Sequence, residues 1–287
     1  AVLTADSGDT EKVSEIIDEC VRMGIPVLPP DVNESFAKFT VIKGENNQDK
    51  IRFGLESIKN VGVNIVQAII DARERNNKFS SITDFVERVR HKDLNKKSLE
   101  SLIKCGAMDS LGERGLLLSN VETILEYSRD CQKQSSGNQN SLFSLTPGVL
   151  VSQIRLKPCE PAQKKDKLSW EKELLGLYVS EHPLHSYKEK IPKNATPLRN
   201  LAELRDGQRV FVYGLVSTVK KNLTKTGSPM LFVTLEDLSG KNEVIVFPGI
   251  LEKTYAVWQP EKIISVKGKL SAKDGAMKIL CDEAAEL

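Results

Sequence analysis

Apolar positions recur with a helical period through much of the first half of the chain. In TEKVSEIIDECVRM (10–23), Val13, Ile16, Ile17 and Cys20 fall on one face. Thr10 is placed to cap the start of that helix and Gly24 to close its end. The prolines of IPVLPPDVNESF (25–36) forbid a helix and predict an extended loop or edge strand. Residues 36–54 alternate around GENNQD, the pattern of a hairpin turn. From 55 to 127 the helical period returns. It predicts helices over 55–59, 63–75, 81–90, 95–105 and 113–127 with short connections.

Residues 131–150, CQKQSSGNQNSLFSLTPGVL, have the polar, small-residue character of a linker, apart from the apolar pair Leu142-Phe143. A helix follows over 164–178, and 183–208 is Pro-rich and turn-like. Beyond Gln208 the period becomes two: RVFVYGLVSTVKK, MLFVTLED, NEVIVFP, KIISVKGKLS and AMKILCDE predict strands. A short helix fits 249–257. Five strands with a helix between the third and fourth match a small Greek-key barrel of the OB type. The expected fold class is therefore α+β and multidomain: a mostly helical N-terminal half, then a small all-β barrel.

The 287 residues correspond to about two domains. With 40% hydrophobic and 28% charged residues, the composition excludes a disordered chain. No apolar run is long enough to cross a bilayer, and no secretory signal opens the chain, so no membrane partner is expected. The opening AVLTADSGDTEKV has no initiator Met and reads as the start of an excised piece. Five scattered cysteines with no C-x-x-C argue against a zinc ribbon or redox pair and for a reducing, cytoplasmic setting.

The net charge is only +2. Its distribution says more. Residues 88–104 carry Arg88, Arg90, Lys92, Lys96, Lys97 and Lys104 against Asp93 and Glu100. Residues 205–228 carry Arg205, Arg209, Lys220, Lys221 and Lys225 against Asp206. Local basic patches of this kind suit a polyanionic partner.

The stretch IKNVGVNIVQAIIDAR (58–73) sets a glycine-bearing bend against a helix start. The first N–H groups of such a helix lack intrahelical partners and lie at the positive end of its dipole. A phosphate oxygen satisfies both, provided no bulky side chain blocks the bend. Gly62 meets that need, and Asn60 tolerates a left-handed conformation. Val61 would tuck inward, with Ile65, Ala68, Ile69 and Ala72 forming the apolar stripe behind it. The expected backbone-binding residues are Lys59, Asn60, Gly62 and Asn64. LESLIKCGAMDSLG (99–112) is a weaker second copy, with Cys105 where a glycine would help; it adds Lys96, Lys97, Lys104 and Gly106 to the expected backbone-binding residues. Together the two copies predict a tandem helix-hairpin-helix unit that grips duplex without reading sequence.

In the linker, Gln139-Asn140-Ser141-Leu142-Phe143 fits Q-x-S-L-F, a pentapeptide used by ligands of bacterial sliding clamps. Gln139, Ser141, Leu142 and Phe143 are the expected clamp-binding residues. On the barrel, Lys220, Lys221 and Lys225 in or beside the first hairpin loop, with Phe232 and Phe247 on strands two and three, are the expected single-strand binders. His182-Pro-Leu-His185 is interrupted by Pro183 and lacks an acidic or Cys partner, so a structural capping role is expected rather than metal binding. No Walker A, G-x-S-x-G or H-E-x-x-H occurs, and paired strand carboxylates for nucleotidyl transfer are missing; no catalytic residue is expected in this chain.

These pieces in this order resemble the C-terminal part of the bacterial replicative DNA polymerase III alpha subunit, the C family of DNA polymerases. IDECVRMGIPVLPPDVNES (17–35) resembles the family's end of fingers, IRFGLESIKNVG (51–62) its hairpin entry, GNQNSLF (137–143) its clamp-binding peptide, ELLGLYVSEHPL (173–184) its connector and GSPMLFVTLEDLSGKNEVIVFP (227–248) its OB domain. The resemblance implies a fingers-like segment at 1–50, the tandem hairpins at 51–130, the linker at 131–150, a helical connector at 151–205 and the OB fold at 206–287. It implies a parent nucleotidyltransferase that uses two Mg²⁺ ions, its palm carboxylates lying upstream of Ala1. The implied partners are double- and single-stranded DNA, the sliding clamp (the beta subunit) and, through the parent protein, other replisome subunits. A stand-alone single-strand-binding or recombination protein with the same modules, and an interaction scaffold, remain alternatives at this point.

Overall fold

The computed structural model describes residues 2–5, 10–44, 49–136, 154–273 and 275–287. The chain divides into two compact units, residues 1–181 and 182–287.

The first unit opens with α1 (Val2–Ala5) and α2 (Thr10–Arg22). Val13 and Ile17 of α2 are buried, and Gly24, at φ 76°, closes it. Three short strands follow: β1 (Val27–Leu28), β2 (Thr40–Ile42) and β3 (Lys50–Arg52). β3 lies in the middle, parallel to β1 and antiparallel to β2, so the proline-rich stretch does supply an edge strand. Among the described residues six helices follow: α3 (Val63–Asn76), α4 (Ile82–Arg88), α5 (Lys96–Lys104), α6 (Arg114–Ser119), α7 (Val121–Ser136) and α8 (Lys164–Leu175). One core joins them, with Phe53, Leu55, Ile65, Val66, Ile69, Phe85, Leu99, Leu102 and Ile103 essentially sealed from solvent.

Two expectations need correction here. The helix expected over 55–59 is a single 3-10 turn, Leu55–Ser57. The helix expected over 113–127 is two helices, broken at Asn120. That side chain is engaged elsewhere: its Nδ2 donates to the carbonyls of Leu116 and Lys157, and its Oδ1 accepts from the Lys157 N–H. A side-chain amide that pairs a distant backbone competes with continued helix.

The second unit begins with 3-10 helices Pro183–Tyr187 and Leu198–Glu203, where only turns were expected. Five strands follow: β4 (Arg209–Leu223), β5 (Pro229–Glu236), β6 (Lys241–Val246), β7 (Ile263–Ser271) and β8 (Lys278–Glu286). They close a barrel in the order β4-β5-β6-β8-β7. α9 (Pro248–Thr254) stands between β6 and β7. β4 serves both sides of the closure: its first half pairs with β7 and its second half with β5, across a register irregularity between Val216 and Thr218. The core, including Val212, Val233, Val244, Val246, Ile264, Val266 and Ile279, comes from alternate strand positions, as the period of two requires.

Candidate nucleic-acid interface

The bend between the 3-10 turn and α3 is built from alternating inward and outward residues. Ile58 and Val61 are buried; Lys59, Asn60, Gly62 and Asn64 are exposed. Asn60 adopts φ 68°, the left-handed conformation expected of it. Lys59 N–H donates to the Leu174 carbonyl of α8 at 3.1 Å, which seats the bend on the rest of the unit.

Gly62 is the N-cap of α3, at φ −80° and ψ 159°, and no side chain caps the helix there. By contrast Ser81, Asn95 and Glu113 each accept an N–H from the first turn of α4, α5 and α6. A Cβ at Gly62 would meet nothing within 4 Å. Any L-residue fits that backbone and that space, so the chain's own fold does not require glycine at this position.

Long-range hydrogen bonds bring basic groups beside the bend. Asn60 Nδ2 donates to Ser101 Oγ on α5 at 3.3 Å, and Asn64 Nδ2 donates to Asp93 Oδ2 at 3.2 Å. Lys97 lies one turn before Ser101 and Lys104 one turn after it, so both share the α5 face that meets the bend. Lys97 is exposed; Lys104 is half-buried and 4.0 Å from Glu100. Lys96 is engaged elsewhere, its Nζ 2.6 Å from Glu122 Oε1.

The second hairpin is constructed differently. Gly106 has φ 84°, which does require glycine, and a Cβ there would collide with the Arg114 guanidinium and lie 3.0 Å from Asp109 Oδ2. Arg114 fills the concavity. It donates to both Asp109 oxygens, to Glu171 Oε1 at 2.9 Å and to the Lys104 carbonyl at 3.1 Å. The other Glu171 oxygen accepts the Val179 and Ser180 N–H groups and the Ser180 hydroxyl. Burial opposes the guanidinium's charge, but the hydrogen bonds and field of Asp109 and Glu171 outweigh it and hold Arg114 above its ordinary pKa. Cys105 occupies an ordinary helical conformation at φ −74°, so glycine would not help there; burial pushes its thiol up to about 12. The Gly106 turn is thus filled from within by Arg114, which leaves no room there for the backbone contact expected of Gly106.

Just after it, Glu113 caps α6 through the Leu116 N–H and also accepts the Ala162 N–H. Partial desolvation raises its pKa, but Lys167 and the two backbone donors prevail and bring it down to about 2.

On the barrel, strand register separates the expected residues. Lys220 and Lys221 lie on β4 itself rather than in the loop. Lys220 stands opposite Phe232, while Lys221 stands opposite core Leu231 and so faces the other way. Phe232 is directly opposed to Ile245, Ile245 to Leu280, and Leu280 to Lys269. In this row Ile245 is buried, Phe232 and Leu280 are half-buried and Lys220 and Lys269 at the ends are exposed; Lys278 Nζ lies 5.9 Å from the Phe232 ring and 2.8 Å from Glu243 Oε2. Ile245, Leu280, Lys269 and Lys278 were missed from sequence, although the period-two alternation of Lys278-Ile-Leu280 carried the signal. Phe247 is not on a strand: it caps α9, 44% exposed. Lys225 is exposed in the β4–β5 turn. His182 Nδ1 accepts from the Leu184 N–H, the capping role expected of it. Among the described residues, no three His, Cys, Asp or Glu side chains group as a metal site. The Gln139–Phe143 pentapeptide lies outside the described residues.

Known proteins place this geometry. A helix-hairpin-helix motif model matches residues 24–116, and an OB-fold nucleic acid binding domain model matches 202–287. The chain is 35% identical to DNA polymerase III subunit alpha of Saccharopolyspora erythraea over 99% of its own length and 24% of that protein's. It is 33% identical to the Escherichia coli K12 subunit over 100% of this chain and 25% of that one. Over nearly its whole length the chain is similar to DNA polymerase III subunit alpha. Against the Thermus aquaticus alpha subunit it is 36% identical over 86% of its length and 20% of that protein's. The chain thus spans about a quarter of the length of the curated alpha subunits it matches. The helix-hairpin-helix match takes in both bends, and the OB-fold match takes in the Lys220–Phe232 face. No helix among the described residues is long and apolar enough to cross a membrane.

Proposed function

We propose that this chain is the DNA-holding and processivity region of a bacterial replicative polymerase. The Gly62 bend binds the phosphate backbone of the primer–template duplex, with Lys59, Asn60, Asn64, Lys97 and Lys104 around it. The outer barrel face, with Lys220 and Phe232 at its centre and Lys221, Lys225 and Phe247 at its margins, receives single-stranded template. Gln139, Ser141, Leu142 and Phe143 tether the enzyme to the sliding clamp. Nucleotide addition and its two Mg²⁺ ions belong, on this reading, to parts of the polymerase outside this chain.

The observation that carries the proposal is at Gly62. A glycine that neither φ nor packing requires sits at an uncapped, exposed helix start beside two lysines of α5. Such a position is best explained by something approaching from outside. An anion is what an uncapped helix start attracts. Gly106 and Lys96 are left out of the interface, the first because Arg114 fills its turn and the second because Glu122 pairs with it.

The test is a titration of the chain with primed duplex and, separately, with clamp. Phe143→Ala is expected to abolish clamp binding and leave duplex affinity unchanged. Duplex binding that is absent or insensitive to salt would remove the backbone-grip reading; clamp binding that survives Phe143→Ala would remove the tether.

A further inference from the structure

β4 and β5 extend beyond the barrel. β6 accompanies β5 only as far as the Leu231–Val246 pair, so Asn222, Leu223, Pro229 and Met230 pair with one another alone. The result is a two-stranded arm. Its last four β4 residues, Lys220 to Leu223, are all exposed. A free two-stranded arm is marginal in water unless its turn is held. Here the turn is held: Thr224 N–H donates to the Ser228 carbonyl at 2.8 Å, Gly227 N–H to the Thr224 carbonyl at 2.9 Å, and Ser228 N–H to Thr224 Oγ1 at 3.1 Å.

The arm's chemistry is unusual for a strand. Leu223 keeps 68% of its surface in water, past the last rung of the barrel where core could cover it. Lys221 shares its face of the arm; Lys220 lies on the opposite face, and Lys225 stands in the turn. One leucine among three lysines offers too little apolar area, and too much charge, for a protein-docking patch. It does match the pairing of phosphate-neutralising cations with an apolar side chain pushed between bases.

We infer that the β4–β5 arm is a wedge: Leu223 enters the base stack of a single strand held by the barrel and unstacks one step, while Lys220, Lys221 and Lys225 neutralise the flanking phosphates. This rests on the single-strand reading of the barrel proposed above and adds to it a defined distortion of the bound strand. The cations on both faces of the arm let phosphates on either side of the opened step be engaged.

The experiment uses the full chain and single-stranded oligonucleotides carrying 2-aminopurine at successive positions, whose emission rises when the base loses its stacking partners. Wild type is expected to raise the emission several-fold at one position. Leu223→Asn is expected to remove that rise while weakening binding by less than about tenfold, within the range that stacking on a single base contributes. Leu223→Phe is expected to keep it. Lys221→Gln with Lys225→Gln is expected to weaken binding and reduce its salt dependence. Tight binding with no emission change at any position would overturn the wedge and leave the single-strand reading standing. An unchanged rise in Leu223→Asn would overturn it as well. No single-strand binding at all would remove both.

Discussion

The two bends of the first unit look alike in sequence, each a helix leading into a glycine turn, yet their glycines answer to different demands. At Gly106 the chain itself demands glycine: φ is 84° and the Arg114 guanidinium fills the space a side chain would take. At Gly62 it does not: φ is −80° and the space is open. The left-handed residue of the first bend is Asn60, two positions earlier. A buried ion-pair network has turned the second bend into an internal joint between α5, α6 and α8. The first bend spends its Lys59 amide on the Leu174 carbonyl but keeps Lys59, Asn60, Gly62 and Asn64 exposed. A glycine motif therefore becomes informative about ligands only after its backbone angle and its neighbours have been checked.

The largest expected effect lies at the internal joint. Gly106→Ala combines a left-handed alanine with displacement of a buried guanidinium that Asp109 and Glu171 depend on. It should cost about 3 kcal/mol or more of unfolding free energy, read by denaturant titration. A loss below about 1 kcal/mol would mean that the network relaxes easily and that the contrast between the bends is weak.

Next comes the surface of α5. Lys97→Gln with Lys104→Gln should leave stability nearly unchanged and weaken duplex binding. The slope of log affinity against log salt should fall in magnitude by about 0.9 for each phosphate that is no longer neutralised. An unaltered slope would exclude these lysines from the interface. Lys96→Gln, whose partner is Glu122, serves as the control with little change expected.

The smallest effect is a pH dependence at the cap that follows the second bend. Glu113 sits at about 2, below its ordinary 4.5, so ionised Glu113 stabilises the folded state. That contribution is fully present above pH 4.5 and is lost as pH falls from 4.5 towards 2. Thermal unfolding of Glu113→Gln should therefore show a deficit at neutral pH that closes across this acidic window. A deficit independent of pH would assign the residue a packing role instead.

What the chain disclosed in advance was its local periodicity. The face of α2 carrying Val13 and Ile17, the inward Val61, the left-handed Asn60 and all five barrel strands follow from spacing and from residue type. The misses depend on partners far away in sequence. Nothing near Arg114 announces that Glu171, 57 residues later, will hold it under Gly106. Nothing near Asn120 announces the Lys157 backbone that breaks the helix. Lys220 and Lys221 are adjacent and chemically identical, and only the β4–β5 register separates their faces. The pairing of Lys96 with Glu122 was hidden for the same reason.

The central claim is that Gly62 is glycine for the sake of a phosphate and not for the sake of the fold. One preparation of Gly62→Val, measured for both thermal stability and affinity for primed duplex, tests it most directly. The account predicts a stability loss no greater than the roughly 1 kcal/mol that replacing an N-cap glycine by a β-branched residue costs, together with a loss of duplex affinity of about tenfold or more. Unchanged duplex affinity, or a large loss of stability in the same variant, would contradict it.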